Sequence, residues 1–427
     1  MNIYFRGIRI VNPSQDLDFK GNLWLKNGII SACSSSEVTV DESTEIVDAK
    51  NLVCSPGFFD MHVHFREPGQ EYKEDILSGS EAAANGGFTG VCCMPNTAPA
   101  IDNAPVIEFI TQRAKDLLVD VHVAGTITQN REGKQLSSIL ELNEYGAVMF
   151  TDDGSCVTNS DTMKRVFNYV ASRDLLISQH CEEHSLTDKF SANEGFISSK
   201  LGLKGYPSVA EEIILSRDIV LAEYCGNRRY HASHISTKGS VRLIREAKSR
   251  GMRISCEVTP HHITLTDESL ITYNTDYKMN PPLRTQEDIN AIFDGLIDGT
   301  IDCIATDHAP HALHEKEVEF EKAPNGVVGL ETSLGIVLTH LYHKELLSLS
   351  ALIEKMSVNP RKILKLNEIL IKEGEKANLT IFAPDEEWIV DKKYFKSKSK
   401  NTPFNGFVLK GKPKYTFNNF KFYKSYL

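Results

Sequence analysis

The rhythm of apolar and polar positions changes twice along the chain. Residues 1–54 carry short apolar runs, Ile8–Val11, Leu23–Leu25 and Ile29–Ile30, separated by Asn, Gly and Pro turns. From residue 55, apolar runs of strand length alternate with longer helical patterns, the signature of βα units and a parallel sheet. Eight such runs occur: Ser55–Met61, Gly90–Met94, Val119–Gly125, Ala147–Thr151, Leu175–Gln179, Arg229–Ala232, Arg253–Val258 and Ile301–Ala305. Helical patterns fall between them at Ser78–Asn85, Ala104–Leu118, Asp161–Ser172, Val209–Tyr224, Ser240–Arg250 and Glu287–Asp298. After about residue 368 short strands return, at Leu379–Phe382, Trp388–Val390, Phe407–Leu409 and Tyr415–Phe417. The pattern predicts an α/β fold: a (β/α)8 TIM barrel over residues 55–368, with a small β-sandwich domain built by both termini, residues 1–54 and 369–427. The lysine-rich stretch Lys392–Lys400 reads as a solvated loop.

In such a barrel, chemistry sits at the C-terminal ends of the strands. The first strand ends in His62-Val63-His64-Phe65-Arg66, and an i, i+2 spacing on a strand puts both imidazoles on one face. The second ends in Pro95-Asn96-Thr97 and the fourth in Asp152-Asp153-Gly154. The fifth and sixth end in His180 and His234. The seventh leads to Thr259-Pro260-His261-His262 and the eighth to Asp307-His308-Ala309-Pro310-His311. Histidines and carboxylates gathered at one end of a barrel need a shared partner, because buried unpaired polar groups are costly. A divalent metal, or a pair, supplies it; imidazole and carboxylate without cysteine suit zinc, manganese, iron or cobalt. Arg66 and Asn96 are suited to a substrate carboxylate or carbonyl. The sum is metal-assisted hydrolysis of an amide-like bond in a small anionic molecule. Spacing alone leaves Asp152 and Asp153 as competitors for one role.

The net charge of −10 and a pI near 5.8 argue against general nucleic-acid binding and against a polybasic membrane surface. An anionic substrate then needs local positive charge. The N-terminal stretch lacks the pattern of a signal peptide, and no apolar run approaches a membrane span. Nine cysteines without framework spacing read as reduced core residues of a cytoplasmic protein.

These motifs resemble the amidohydrolase superfamily, and within it dihydroorotases of the bacterial long-chain type. The matching stretches are Pro56–Gly69, Met94–Thr97, Thr151–Gly154, Ala305–His311 and Gly329–Thr332, which span the barrel in order. The resemblance implies reversible closure of N-carbamoyl-L-aspartate to L-dihydroorotate in pyrimidine synthesis. It implies two zinc ions, with His62, His64 and Asp307 on the first, His180 and His234 on the second, and Asp153 bridging. A bridging hydroxide would be the nucleophile and Asp307 the proton shuttle. Arg66, Asn96 and His311 would grip the substrate carboxylate beside His64. Asn280 and the backbone around Asn325-Gly326 would bind the ring. Many amidohydrolases bridge their metals through a carbamylated lysine after the fourth strand, but no lysine occurs here between Lys134 and Lys164. That weighs against a hydantoinase-like or allantoinase-like site. With all six ligand positions filled, it also weighs against a catalytically dead barrel serving as a scaffold. The family further suggests a homodimer and association with aspartate transcarbamoylase. Where the family often has an aromatic residue before the loop glycine, this chain has Asn325. His308, His261 and His262 are expected to be structural, and His231 to face away from His234.

Overall fold

The computed structural model describes residues 2–427. Eight parallel strands form the barrel in chain order. They are β6 (Phe58–Val63), β7 (Phe88–Cys93), β8 (Asp120–Gly125), β9 (Ala147–Phe150), β10 (Ile177–Gln179), β13 (Tyr230–Ala232), β14 (Ile254–Val258) and β15 (Cys303–Ile304). A short parallel ladder, β11 (Ala192–Asn193) with β12 (Gly205–Tyr206), lies in the connection after β10. The barrel closes past the end of β15: Val63 bridges His308, and the His64 N–H donates to the His308 carbonyl. All six strand residues of β6 are buried, as a strand packed on both faces requires.

The helices start where side chains can cap them. Asp75, Asn103, Asn159 and Thr237 each accept a backbone N–H from the first turn of the helix that follows. Helix Val209–Tyr224 matches its predicted limits, and the others shift by a few residues.

The terminal segments form one mixed eight-stranded sheet. Its strands are β1 (Asn2–Asn12), β2 (Leu17–Lys26), β3 (Ile29–Ser34), β4 (Glu45–Asp48), β5 (Val53–Pro56), β16 (Leu379–Ile389), β17 (Val408–Asn418) and β18 (Lys421–Lys424). The order is β18-β17-β16-β5-β1-β2-β3, with β4 also on β1. Phe5 of β1 packs edge-on against Phe417 of β17, three strands away, so the two faces of the predicted sandwich are halves of one folded sheet. The four apolar runs predicted after residue 368 merge pairwise into β16 and β17.

Two expectations change. The run Ser55–Met61 is not one strand: residues up to Pro56 pair with β1 and β16, and the barrel begins at Phe58. Gly57 marks the crossing, where an added Cβ would lie 2.1 Å from Thr89 Oγ1 and 2.2 Å from Asn378 Oδ1. The stretch Lys392–Lys400 is not a solvated loop. Ser397, Ser399 and Asn401 are buried against the barrel mouth. Glu331 accepts the Lys396 and Ser397 N–H groups, Glu74 accepts the Ser397 hydroxyl and the Lys398 N–H, and Ser399 Oγ donates to the Lys73 carbonyl. Two buried carboxylates, Glu74 and Glu331, hold this strap inward by accepting its N–H and O–H groups, an attraction the lysine count obscures. All nine cysteines are free thiols, eight of them buried. Among the described residues no helix is long and apolar enough to cross a membrane.

Candidate metal centre and the wall beside it

The side chains expected at the strand ends converge. The ligand atoms of His62, Asp153 and His234 lie within 4.8 Å of one another, and so do those of His62, His64 and Asp307. Asp153 Oδ1 is 3.4 Å from His62 Nε2 and 3.5 Å from His234 Nε2, and its Oδ2 is 3.5 Å from His64 Nε2. Asp307 Oδ1 is 3.0 Å from His64 Nε2. His180 joins from the side, its Nδ1 3.0 Å from His234 Nε2. Asp153 therefore touches both groups. Its neighbour Asp152 turns away and accepts hydrogen bonds from the Ile127 and Thr128 N–H groups and the Thr128 hydroxyl. Three residues here hold left-handed backbone, Arg66 (φ 63°), His234 (φ 30°) and Asp307 (φ 48°). Such conformations cost about 1–3 kcal/mol each and persist where surrounding structure enforces them.

The donor set fits a divalent metal. His62 Nε2 and Asp153 Oδ1 are buried with no hydrogen-bond partner among the described residues. His62 Nδ1 lies 2.7 Å from Glu257 Oε1, so the ring gives its proton there and aims the Nε2 lone pair at Asp153. His180 Nε2 lies 2.8 Å from Glu182 Oε2, so its Nδ1 lone pair faces His234. Lone pairs aimed at a carboxylate and at one another repel unless a cation lies between them. A carboxylate behind a ligating imidazole fixes its tautomer and raises its basicity. Against burial, the facing histidines hold Asp153 and Asp307 well below the usual carboxylate range, so both carboxylates are ionised, as metal ligands must be. Glu257 is likewise held at about 2 by His62 and His231, although burial works to raise it.

The opposite side of the same cavity, about 250 Å³, is lined by Arg66, Asn96, Asn280, His311, Asn325 and Gly326. Arg66 is buried, donates from Nε to the Pro310 carbonyl, and has its pKa lowered by that burial to about 10. Asn96 Oδ1 pairs with His64 Nδ1 at 2.8 Å, tying the wall to the ligand set. Asn280 gives its Nδ2 to Glu182 Oε2 at 2.9 Å, which leaves Oδ1 without a partner among the described residues and free to accept a substrate N–H. His311 Nε2 donates to the Asn325 carbonyl at 2.8 Å. Burial and the cations Arg66, Lys73 and Lys316 push its pKa down to about 3, so the ring is neutral and its Nδ1 carries a lone pair. It can donate to a carboxylate only after protonation or a ring flip. Gly326 (φ 138°) crosses so close that a Cβ would lie 2.8 Å from Ala309 Cβ.

His308 points away from Asp307, accepting the Gly329 N–H on Nδ1. His262 spans Thr259 and the Pro281 carbonyl, and His261 is buried beside it. His231 is buried in the barrel interior, 3.3 Å from Glu257.

Sequence reasoning missed the supports. Glu257 and Glu182 hold His62 and His180. Asp60 accepts the His62 and Thr306 N–H groups, and burial pushes it up to about 7. A carboxylate inside an otherwise apolar strand, as in Ile254-Ser255-Cys256-Glu257-Val258, was the available signal. Asn401 carried none.

A dihydro-orotase-like family model matches residues 51–240. The dihydroorotase of Syntrophus aciditrophicus (strain SB) is 49% identical over 413 residues, 96% of each chain. That of Trichlorobacter lovleyi (strain ATCC BAA-1151 / DSM 17278 / SZ) is 48% identical over 412 residues, again 96% of each. Among solved structures, the L-hydantoinase (dihydropyrimidinase) from Arthrobacter aurescens superposes with a TM-score of 0.87 at 26% identity, over 99% of this chain and 96% of that one. The dihydropyrimidinase from Brevibacillus agri NCHU1002 gives 0.85 at 19% identity, over 100% and 95%, and shares the fold. Hydantoinases thus share the barrel, but near half-identity over almost the whole length lies elsewhere: the chain belongs to the dihydroorotase family.

Proposed function

We propose that this protein catalyses the reversible closure of N-carbamoyl-L-aspartate to L-dihydroorotate, the dihydroorotase step of pyrimidine synthesis. The observation that carries the reading is the pairing, in one small cavity, of a metal-ligating cluster with an arginine-bearing wall suited to a carboxylate. The relatives at 48–49% identity name the reaction.

His62, His64, Asp153, His180, His234 and Asp307 would hold two zinc ions. When bound, they supply Lewis acidity at the scissile amide. Arg66 and Asn96 fix the substrate carboxylate, with His311 as a third contact once protonated or flipped. Asn280 Oδ1 accepts a ring N–H, and the backbone at Asn325-Gly326 borders the ring. In ring opening, Asp307 takes a proton from the attacking water and delivers it to the ring nitrogen as the C–N bond breaks. In closure the same proton travels back. Asp307 is ionised before ring opening, as a proton acceptor must be.

The working form is read as a cytoplasmic homodimer able to associate with aspartate transcarbamoylase. The discriminating experiment combines metal analysis of the purified protein with turnover of dihydroorotate, N-carbamoyl-L-aspartate, hydantoin and dihydrouracil. About two zinc ions per chain and turnover of the first two compounds alone is the expected result. Turnover of hydantoin or dihydrouracil without dihydroorotate would overturn the assignment.

A further inference from the structure

The wall beside the metal cluster is not built by the barrel alone. Asn401, carried by the strap from the terminal segment, is buried against it. Its Oδ1 accepts the His311 N–H at 3.0 Å. Its Nδ2 donates to the Ala309 carbonyl at 3.1 Å and to the Gly326 carbonyl at 3.0 Å. Its own carbonyl accepts the Val328 N–H at 2.9 Å. One side chain thus joins the chain after β15 to the loop that borders the ring. Lys316 adds a second tie from behind, donating from Nζ to the Pro324 and Gly326 carbonyls.

We infer that Asn401 is a positioning residue for the substrate grip, setting His311 and Gly326 in register with Arg66. The inference rests on the reaction proposed above. The physical reason is that one amide reaches three points on the two segments, adding to the direct ties from the Ala309 N–H to the Val327 carbonyl and from His311 Nε2 to the Asn325 carbonyl. The His311 ring hangs from a backbone whose N–H ends on Asn401. The Gly326 loop has no regular ladder beyond the short bridge His308–Val327. An amide suits the post because it offers an acceptor on one side and two donor hydrogens on the other. Aspartate would keep the shape and the His311 contact but turn a charged oxygen toward two carbonyl oxygens.

The strap does not depend on Asn401 for its hold. Residues 396–399 are fastened separately by Glu331, Glu74 and the Lys73 carbonyl. Replacing Asn401 should therefore leave the chain folded and the strap seated.

The test uses the metal-loaded enzyme and L-dihydroorotate, with Asn401→Ala and Asn401→Asp. Asn401→Ala is expected to raise KM about tenfold, the loss of one or two buried hydrogen bonds, with kcat within about twofold and metal content unchanged. Asn401→Asp is expected to raise KM further than Asn401→Ala. A residue that merely fills space predicts the opposite order, since aspartate is the closer match in size. Unchanged KM in both variants, a loss confined to kcat, or an Asn401→Asp enzyme better than Asn401→Ala would overturn the inference while leaving the reaction standing. A wild-type enzyme that turns over no dihydroorotate would instead overturn the reaction, and the inference with it.

Discussion

The two sides of the cavity are built by different means. On the metal side every proposed ligand stands at or just past the end of a barrel strand, and a buried carboxylate backs two of the imidazoles. On the substrate side Arg66 and Asn96 follow strand ends as closely, but Asn280, His311, Asn325 and Gly326 sit on longer loops, and the residues that hold those loops come from a helix end and from the terminal strap. Strand ends are fixed by the sheet ladder and need few extra contacts. Loops need fasteners, and a fastener can come from anywhere in the chain. The metal side should therefore fail abruptly when a ligand or its backing acid is lost, and the substrate side should loosen by degrees.

The largest effect is expected at Asp307. Asp307→Ala removes the proposed proton carrier, and turnover should fall by about 10³-fold or more. His62, Asp153, His180 and His234 remain, so at least one metal should stay bound. Near-normal kcat in that variant would defeat the proposed role; elemental analysis checks the metal. A backing acid comes next. Glu257→Gln leaves His62 in place but weakens the acceptor that fixes its tautomer, and should lower metal affinity by about 10–100-fold. Titration with a chelator, followed through residual activity, measures this. Affinity equal to wild type would show that the ladder alone orients His62, which would sharpen the contrast between the two sides.

The same contrast explains what could be read before the structure. The eight-strand alternation was legible because a buried parallel strand must be apolar. The converging imidazoles and carboxylates were legible because polar residues at strand ends break that pattern visibly, as in His62-Val63-His64. The choice between Asp152 and Asp153 was not, since adjacent residues point opposite ways and only the three-dimensional path shows that Asp152 is taken by Thr128. The strap was misread because its attraction lies in Glu74 and Glu331, more than 60 residues away in sequence, while its own lysines suggest solvent. Ser55–Met61 looked like one strand because both sheets demand the same apolar run, and only the close crossing at Gly57 divides it.

On the substrate side the effects should be graded. Arg66→Lys replaces a planar fork with a point charge. It should raise KM for dihydroorotate about tenfold or more, with a smaller change in kcat, because metal ligation is untouched. An unchanged KM would remove Arg66 from the carboxylate grip and leave the wall without its main cation.

The smallest effect is expected at the outer edge of the strap. Lys398 pairs through its ammonium with Asp75, but that side chain is 41% exposed. An exposed pair is worth about 1 kcal/mol at most. Its backbone N–H, by contrast, ends on the buried Glu74. Lys398→Ala keeps the second contact and loses the first together with an exposed hydrogen bond from the same ammonium to the Glu71 carbonyl, so Tm should fall by no more than about 2 °C and KM should not move. A clear rise in KM would mean that the surface ion pair, and not the buried carboxylates, keeps the strap seated, and the account of how a loop-built wall is held would have to shift from its core to its rim.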